Sequence, residues 1–243
     1  MAMESRGVGD DALASDRLLV LMQLGDSALP TGGYAFSSGL EAAWQLGLVE
    51  DGGDLHQFVG NVLRTSATGE IPFLRSACRL SESPDAGLPI AALSELVQHY
   101  DAMQTAASLR QASLKLGRSW LRLYARLFPS EQLRIEDYFA GGVIPPHFCV
   151  AFGLTLSAAG IGEDTIVDLF LHQTLRDQLA AAVRLGILGP FEAVERHAAL
   201  RSACREAAEK SRHVPFGEAY RGAPQLDLAQ CFHAHLYSRL FQS

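Results

Sequence analysis

The side chains of this 243-residue chain that could do chemistry are eight histidines, four cysteines and one cationic stripe. Cys231 and His235 stand four apart and would share one face of a helix, offering two of the four donors that a closed zinc site needs. His233 and His235 are two apart and point to different faces. His56, His99, His172, His197 and His213 are scattered singly, and His147 suits a hydrogen-bonding role at a helix start. Thr31-Gly32-Gly33-Tyr34 has the glycines of a phosphate loop but neither the following Lys-Ser/Thr nor a preceding strand, so it reads as a turn between helices. No serine or cysteine sits in a nucleophile motif. The residues therefore point to a protein that is not an enzyme, with no catalytic residue, metal site or cofactor expected. Lys115, Arg118, Arg122 and Arg126 gather along one line of a helix. They form a solvated face, an internal ion-pair seam or a docking surface for an acidic partner.

The elements that must position these groups are helical almost throughout. Ser15 or Asp16 can cap a helix that ends near Pro30, and Ser37 or Ser38 can cap one ending at Gly47. Asp54 opens a third, in which Leu55, Phe58, Val59, Val62 and Leu63 recur at helical spacing. Pro72 suits the first turn of the next, and Ser81 to Leu88 reads as a surface loop. Pro89 to Phe128 is helical with a break near Asp101; its second half has two apolar stripes, as a helix shared between neighbours would. After Gly141-Gly142 and Pro145-Pro146, Phe148 to Ala159 is apolar enough to be a central buried helix. Helices over Asp164–Arg184, Phe191–Lys210 and Asp227–Phe241 complete an all-α fold of nine or ten helices. It forms one domain over 16–243, preceded by a loose tail at 1–15.

Apolar residues make up 48% of the chain, enough for a sizeable core, and the net charge of −7 argues against nucleic-acid binding. No run is long enough to span a membrane, and Met1 to Ser15 lacks the apolar stretch of a secretory signal. Four well-separated cysteines without a CxxC pair favour reduced thiols and a cytoplasmic location.

Two segments at opposite ends stand out: Leu29-Pro-Thr-Gly-Gly-Tyr-Ala-Phe-Ser-Ser-Gly-Leu-Glu41 and His233-Ala-His-Leu-Tyr-Ser-Arg-Leu-Phe-Gln-Ser243. The second stays rich in aromatic residues and arginine where most chains turn polar. With Arg110–Ser113 and Leu116–Leu123, His147–Gly153, and Leu175–Leu185, they occur in the order of the urease accessory protein UreF family, which the chain resembles over some 215 positions. It departs from that family at Ala234, where many members have glutamate, and at Pro190, where many have glutamine.

The resemblance implies an all-helical homodimer that binds UreH (also called UreD), recruits the GTPase UreG and engages apo-urease, so that nickel reaches the urease active site. The chain would be a non-enzymatic chaperone, and the family's C-terminal segment is implied to order on contact with UreH. Tyr34, Phe36, Leu236, Tyr237, Arg239, Leu240 and Phe241 are the expected partner-binding residues. A side chain at Gly33 is expected to strain the turn and misplace Tyr34 and Phe36. Two alternatives stay open: a GTPase-activating subunit lending Arg118 or Arg122 to UreG, and a nickel carrier using Cys231, His233 and His235.

Overall fold

The computed structural model describes residues 7–81, 88–129 and 135–242. Residues 82–87 of the expected surface loop and 1–6 of the expected tail lie outside them. The α-helices are α1 (Gly7–Leu24), α2 (Leu40–Gln45), α3 (Gly52–Thr68), α4 (Glu70–Ser81), α5 (Ile90–Met103) and α6 (Ala107–Leu127). They continue as α7 (Ile135–Ala140), α8 (Phe148–Ala158), α9 (Glu163–Arg184), α10 (Pro190–Ala199), α11 (Arg201–Ser211) and α12 (Pro224–Phe232). Among the described residues there is no strand, and only α2 and α7 are as short as six residues. The all-α class and the ten longer helices agree with the sequence reading.

Helix α8 sits at the centre, as its composition requires. Every residue from Cys149 to Leu156 is buried, packed between α4 and α6. Trp120 of α6 donates its indole N–H to Thr155 Oγ1 at 2.8 Å, which satisfies the one polar atom of a wholly buried side chain. Phe148, Phe152 and Phe170 close around it with ring centroids 4.7–6.3 Å apart. Around this core a buried arginine ties three helices together. Arg75 of α4 bonds Glu163 and Asp164 at the start of α9, and Ser211 Oγ and the Ala208 carbonyl of α11.

Helix breaks are where sequence and structure part. The long segment expected from Pro89 breaks at 104–106, a few residues past Asp101, and the segment from Phe191 breaks at Leu200. Neither place holds glycine or proline. The N-cap of α3 is Asp51, three residues before Asp54; its Oδ1 accepts the Gly53 and Asp54 N–H groups at 2.6 and 3.0 Å. Those two bonds hold the Asp51 carboxyl below its usual range. Finally, α12 stops at Phe232, so the helix expected to reach Phe241 gives way to a short 3-10 turn and an irregular, bending segment from Leu236.

The break after α5 has a chemical role. Asp101 receives Arg110 Nε at 2.7 Å and His147 Nε2 at 2.8 Å. A carboxylate only accepts, so Nε2 carries the proton of a neutral ring, and Nδ1 accepts from the Ser113 hydroxyl at 3.1 Å. Ser113 Oγ in turn accepts the Phe148 N–H that opens α8. Burial pushes the His147 imidazole down against the pull of Asp101; burial also opposes the Asp101 charge, but the Arg110 and His147 bonds outweigh it and hold that carboxyl low. The histidine is therefore neutral in the fold but binds a proton near pH 6.5 once unfolded. Stability from this group is complete above about pH 6.5 and falls as pH drops below it, by at most about 1.4 kcal/mol per pH unit. Melting between about pH 7.5 and about pH 5.5 should show this loss in the native chain and a smaller one in His147→Gln. Identical pH profiles for the two would refute it.

Candidate functional site

The two terminal motifs, some 200 positions apart in the chain, form one structure. The turn between α1 and α2 is built first by its backbone. Gly32 (φ +87°) and Gly39 (φ +93°) adopt conformations that side chains disfavour. Gly33, expected to be the strained glycine, has no positive φ. An added Cβ there instead meets the carboxylate Oδ2 of Asp177 at 2.5 Å, so the obstacle is a side chain of α9. Helix α9 also grips the turn through polar arms. Gln173 donates to the Leu24 carbonyl at 2.8 Å, Arg176 to the Gly25 and Asp26 carbonyls at 2.8 and 2.9 Å, and Gln178 to the Ser37 carbonyl at 3.1 Å. Gln230 of α12 donates to the Ser38 carbonyl at 3.0 Å.

At the first turn of α2 stands Glu41, 1% exposed. Its Oε1 accepts the Leu240 N–H at 2.6 Å, and its Oε2 accepts the Phe241 N–H at 3.1 Å and His233 Nε2 at 2.9 Å. His233 is equally buried, at 1%. One carboxylate thus gathers both ends of the C-terminal segment, with charge-assisted bonds in a site that excludes water. The Gln242 N–H adds a bond to the Ala35 carbonyl at 2.8 Å, Gln45 Nε2 one to the Ser238 carbonyl at 3.1 Å, and Lys115 Nζ one to Gln242 Oε1 at 2.5 Å. Arg184 lies 4.3 Å from the Phe241 ring centroid and donates to the Tyr34 carbonyl. The segment is thereby fastened by the chain's own residues.

The seven residues expected to bind a partner divide into two groups. Phe36 and Phe241 are buried, and Leu236 is half-buried against the core, so these three fasten the segment. Tyr34 (66% exposed), Tyr237 (fully exposed), Arg239 and Leu240 (54%) face outward. Trp44 of α2 and Leu228 and Phe232 of α12 are also exposed apolar residues. Glu41 was not singled out by its type, and His233 was weighed only as a nickel ligand; the available signal for Glu41 was a carboxylate in the first turn of a helix whose next residues are apolar. His233 Nε2 is committed to Glu41, while Cys231 and His235 are exposed. Among the described residues, no group of three or more His, Cys, Asp or Glu side chains is placed to hold a metal ion.

Behind the turn lies a cavity of about 180 Å³ with a mainly apolar lining that also includes Glu70, Asp177, Gln178, Arg221 and Gln230. Arg221 joins Glu70 and Asp227 at 2.8 Å each and Gln230 at 3.2 Å. Burial pushes the Asp177 carboxyl up despite its neighbour Arg176. No helix among the described residues is long and apolar enough to cross a membrane.

The helices thus hold a shaped, partly apolar surface on a buried carboxylate, with no metal-binding cluster among the described residues. Comparison with known proteins makes this specific. Residues 49–201 match the UreF family. Urease accessory protein F of Oryza sativa subsp. indica is 36% identical over 225 residues, covering 90% of this chain and 82% of that protein. The protein of the same name from Arabidopsis thaliana is 35% identical over 224 residues, covering 91% and 90%. The chain belongs to the UreF family of urease accessory proteins, which are not catalytic.

Proposed function

We propose that this protein is a scaffold in urease maturation, acting in the cytoplasm to support nickel incorporation into apo-urease. It binds UreH (UreD) through the face built by Tyr34, Tyr237, Arg239 and Leu240, and it holds the GTPase UreG in the same assembly. The observation that carries this reading is the buried Glu41, which fixes both terminal motifs and leaves tyrosine, leucine and arginine pointing outward. Aromatic residues and arginine dominate interface energetics when partner contact desolvates them. Exposed Leu18, Leu19 and Met22 of α1, with Phe191 and Val194 of α10, offer apolar surface for the homodimer.

The test is co-purification with the host's UreH. Tyr237→Ala combined with Leu240→Asp should weaken the complex at least about 30-fold, the equivalent of one strong interface residue of about 2 kcal/mol. Both side chains are exposed, so the melting temperature should stay within about 2 °C of the native value. Native-strength binding by the double variant would dismiss this face as the UreH site.

A further inference from the structure

We propose that the outer face of α6 is a docking strip for an acidic segment of a partner protein. From Ala107 to Leu127 this helix contains no aspartate or glutamate. Lys115, Arg118, Arg122 and Arg126 are all exposed and lie along one line about 16 Å long. Arg118–Arg122 and Arg122–Arg126 are like-charge pairs at i,i+4 spacing, an arrangement that destabilises a helix in isolation. Such a local cost, without a compensating carboxylate among the described residues, marks a surface selected for something outside the chain.

Many of the molecule's other arginines are ion-paired within the chain, whereas those of the strip are not. Arg75, Arg79, Arg110, Arg176, Arg212 and Arg221 all have carboxylate partners. Among the described residues, Arg118 and Arg126 have none, and Arg122 donates only to Ser119 Oγ at 3.2 Å. Lys115 reaches the amide oxygen of Gln242, so the strip begins where the C-terminal segment ends. Exposed Arg201 and Arg205 of α11 differ, because that helix also carries Glu206 and Glu209.

The chemistry favours protein carboxylates over nucleic acid. A net charge of −7 repels a polyanion as dense as a nucleic acid, and α6 exposes no aromatic ring on which a base could stack, Trp120 and Tyr124 being buried. Carboxylates presented at helical spacing by an acidic segment match the repeat of the arginines, each of which can take one carboxylate through two parallel bonds. This reading is independent of what binds the C-terminal face.

The probe is a labelled alanine-based helical peptide with four glutamates at i,i+4 spacing, titrated by fluorescence anisotropy with the full chain. Saturable binding is expected that weakens at least about tenfold between about 50 and about 300 mM NaCl. R118E/R122E/R126E should abolish it. R17E/R201E/R205E changes net charge equally at exposed arginines elsewhere, and should leave the affinity within about twofold. R118Q/R122Q/R126Q should also lose binding while melting no lower than the native chain, because repulsion along α6 is removed. Equal losses in the two charge-reversed variants would mean bulk attraction only and overturn the proposal. So would failure of the native chain to bind the peptide, or tighter binding of a single-stranded DNA oligonucleotide of the same length.

Discussion

Glu41→Ala releases the C-terminal segment: the Leu240 and Phe241 amides lose hydrogen-exchange protection by about 100-fold or more, and binding to UreH falls with it. The carboxylate has three donors and almost no contact with water. Removing one partner of a buried pair costs about 3–5 kcal/mol, because the groups left behind are neither solvated nor bonded. For a domain of this size, about 3 kcal/mol lowers the melting temperature by roughly 6–12 °C. Glu41→Gln should be milder, since it keeps one acceptor oxygen but turns an NH2 group toward a donor. The same arithmetic bears on deletion of residues 236–243. That change removes the proposed docking face, and it also strips two N–H groups from Glu41 and Phe241 from the core, so it lowers stability as well. Unchanged exchange at Leu240 and Phe241 in Glu41→Ala would show that the segment is held by other contacts.

The second large effect is expected at Gly117, where α6 crosses the backbone leading into α8. A Cβ built there lies 1.8 Å from the Pro146 carbonyl oxygen and 3.2 Å from the His147 carbonyl carbon. The obstacle is backbone and cannot rotate away. Gly117→Val must either push α6 off α8 or shift Pro146 and His147, disturbing the Asp101–His147–Ser113 chain and the seat of Trp120. Overpacking typically costs 1–3 kcal/mol, and a clash with fixed backbone belongs at or above the upper end, about 3 kcal/mol. The expected result is a melting temperature lower by about 6–12 °C and a pH response altered below about pH 6.5. A variant melting with the native chain would mean that the two helices separate without cost.

Much of this was legible in the residues. The apolar run at Phe148–Ala159 could only be a buried centre, and Leu55, Phe58, Val59, Val62 and Leu63 could only be one face of a helix. The break expected near Asp101 falls at 104–106, with Asp101 serving Arg110 and His147; the break at Leu200 was not legible, because it uses neither glycine nor proline. The amphipathic pattern after Asp227 suggested one helix to Phe241, whereas a side chain some 200 positions away takes the N–H groups that a helix would have used. In the same way Phe36 and Phe241 looked like exposed anchors by type, and only their burial shows them to be fasteners. Periodicity reports the neighbours that a residue meets within its own helix. It is silent on partners brought by the rest of the fold.

The bond from Glu41 to Leu240 and Phe241 has a consequence for the timing of biosynthesis. Contacts of such long sequence separation form late in folding. During translation the first motif emerges early, but its buried carboxylate lacks its partners until residues 233–241 have been made. A nascent chain shorter than this can fold α3 to α9 and still lack the outward face of Tyr237, Arg239 and Leu240. The outward face therefore forms only after the segment through Phe241 has been made, and chains that stop short of it lack that face.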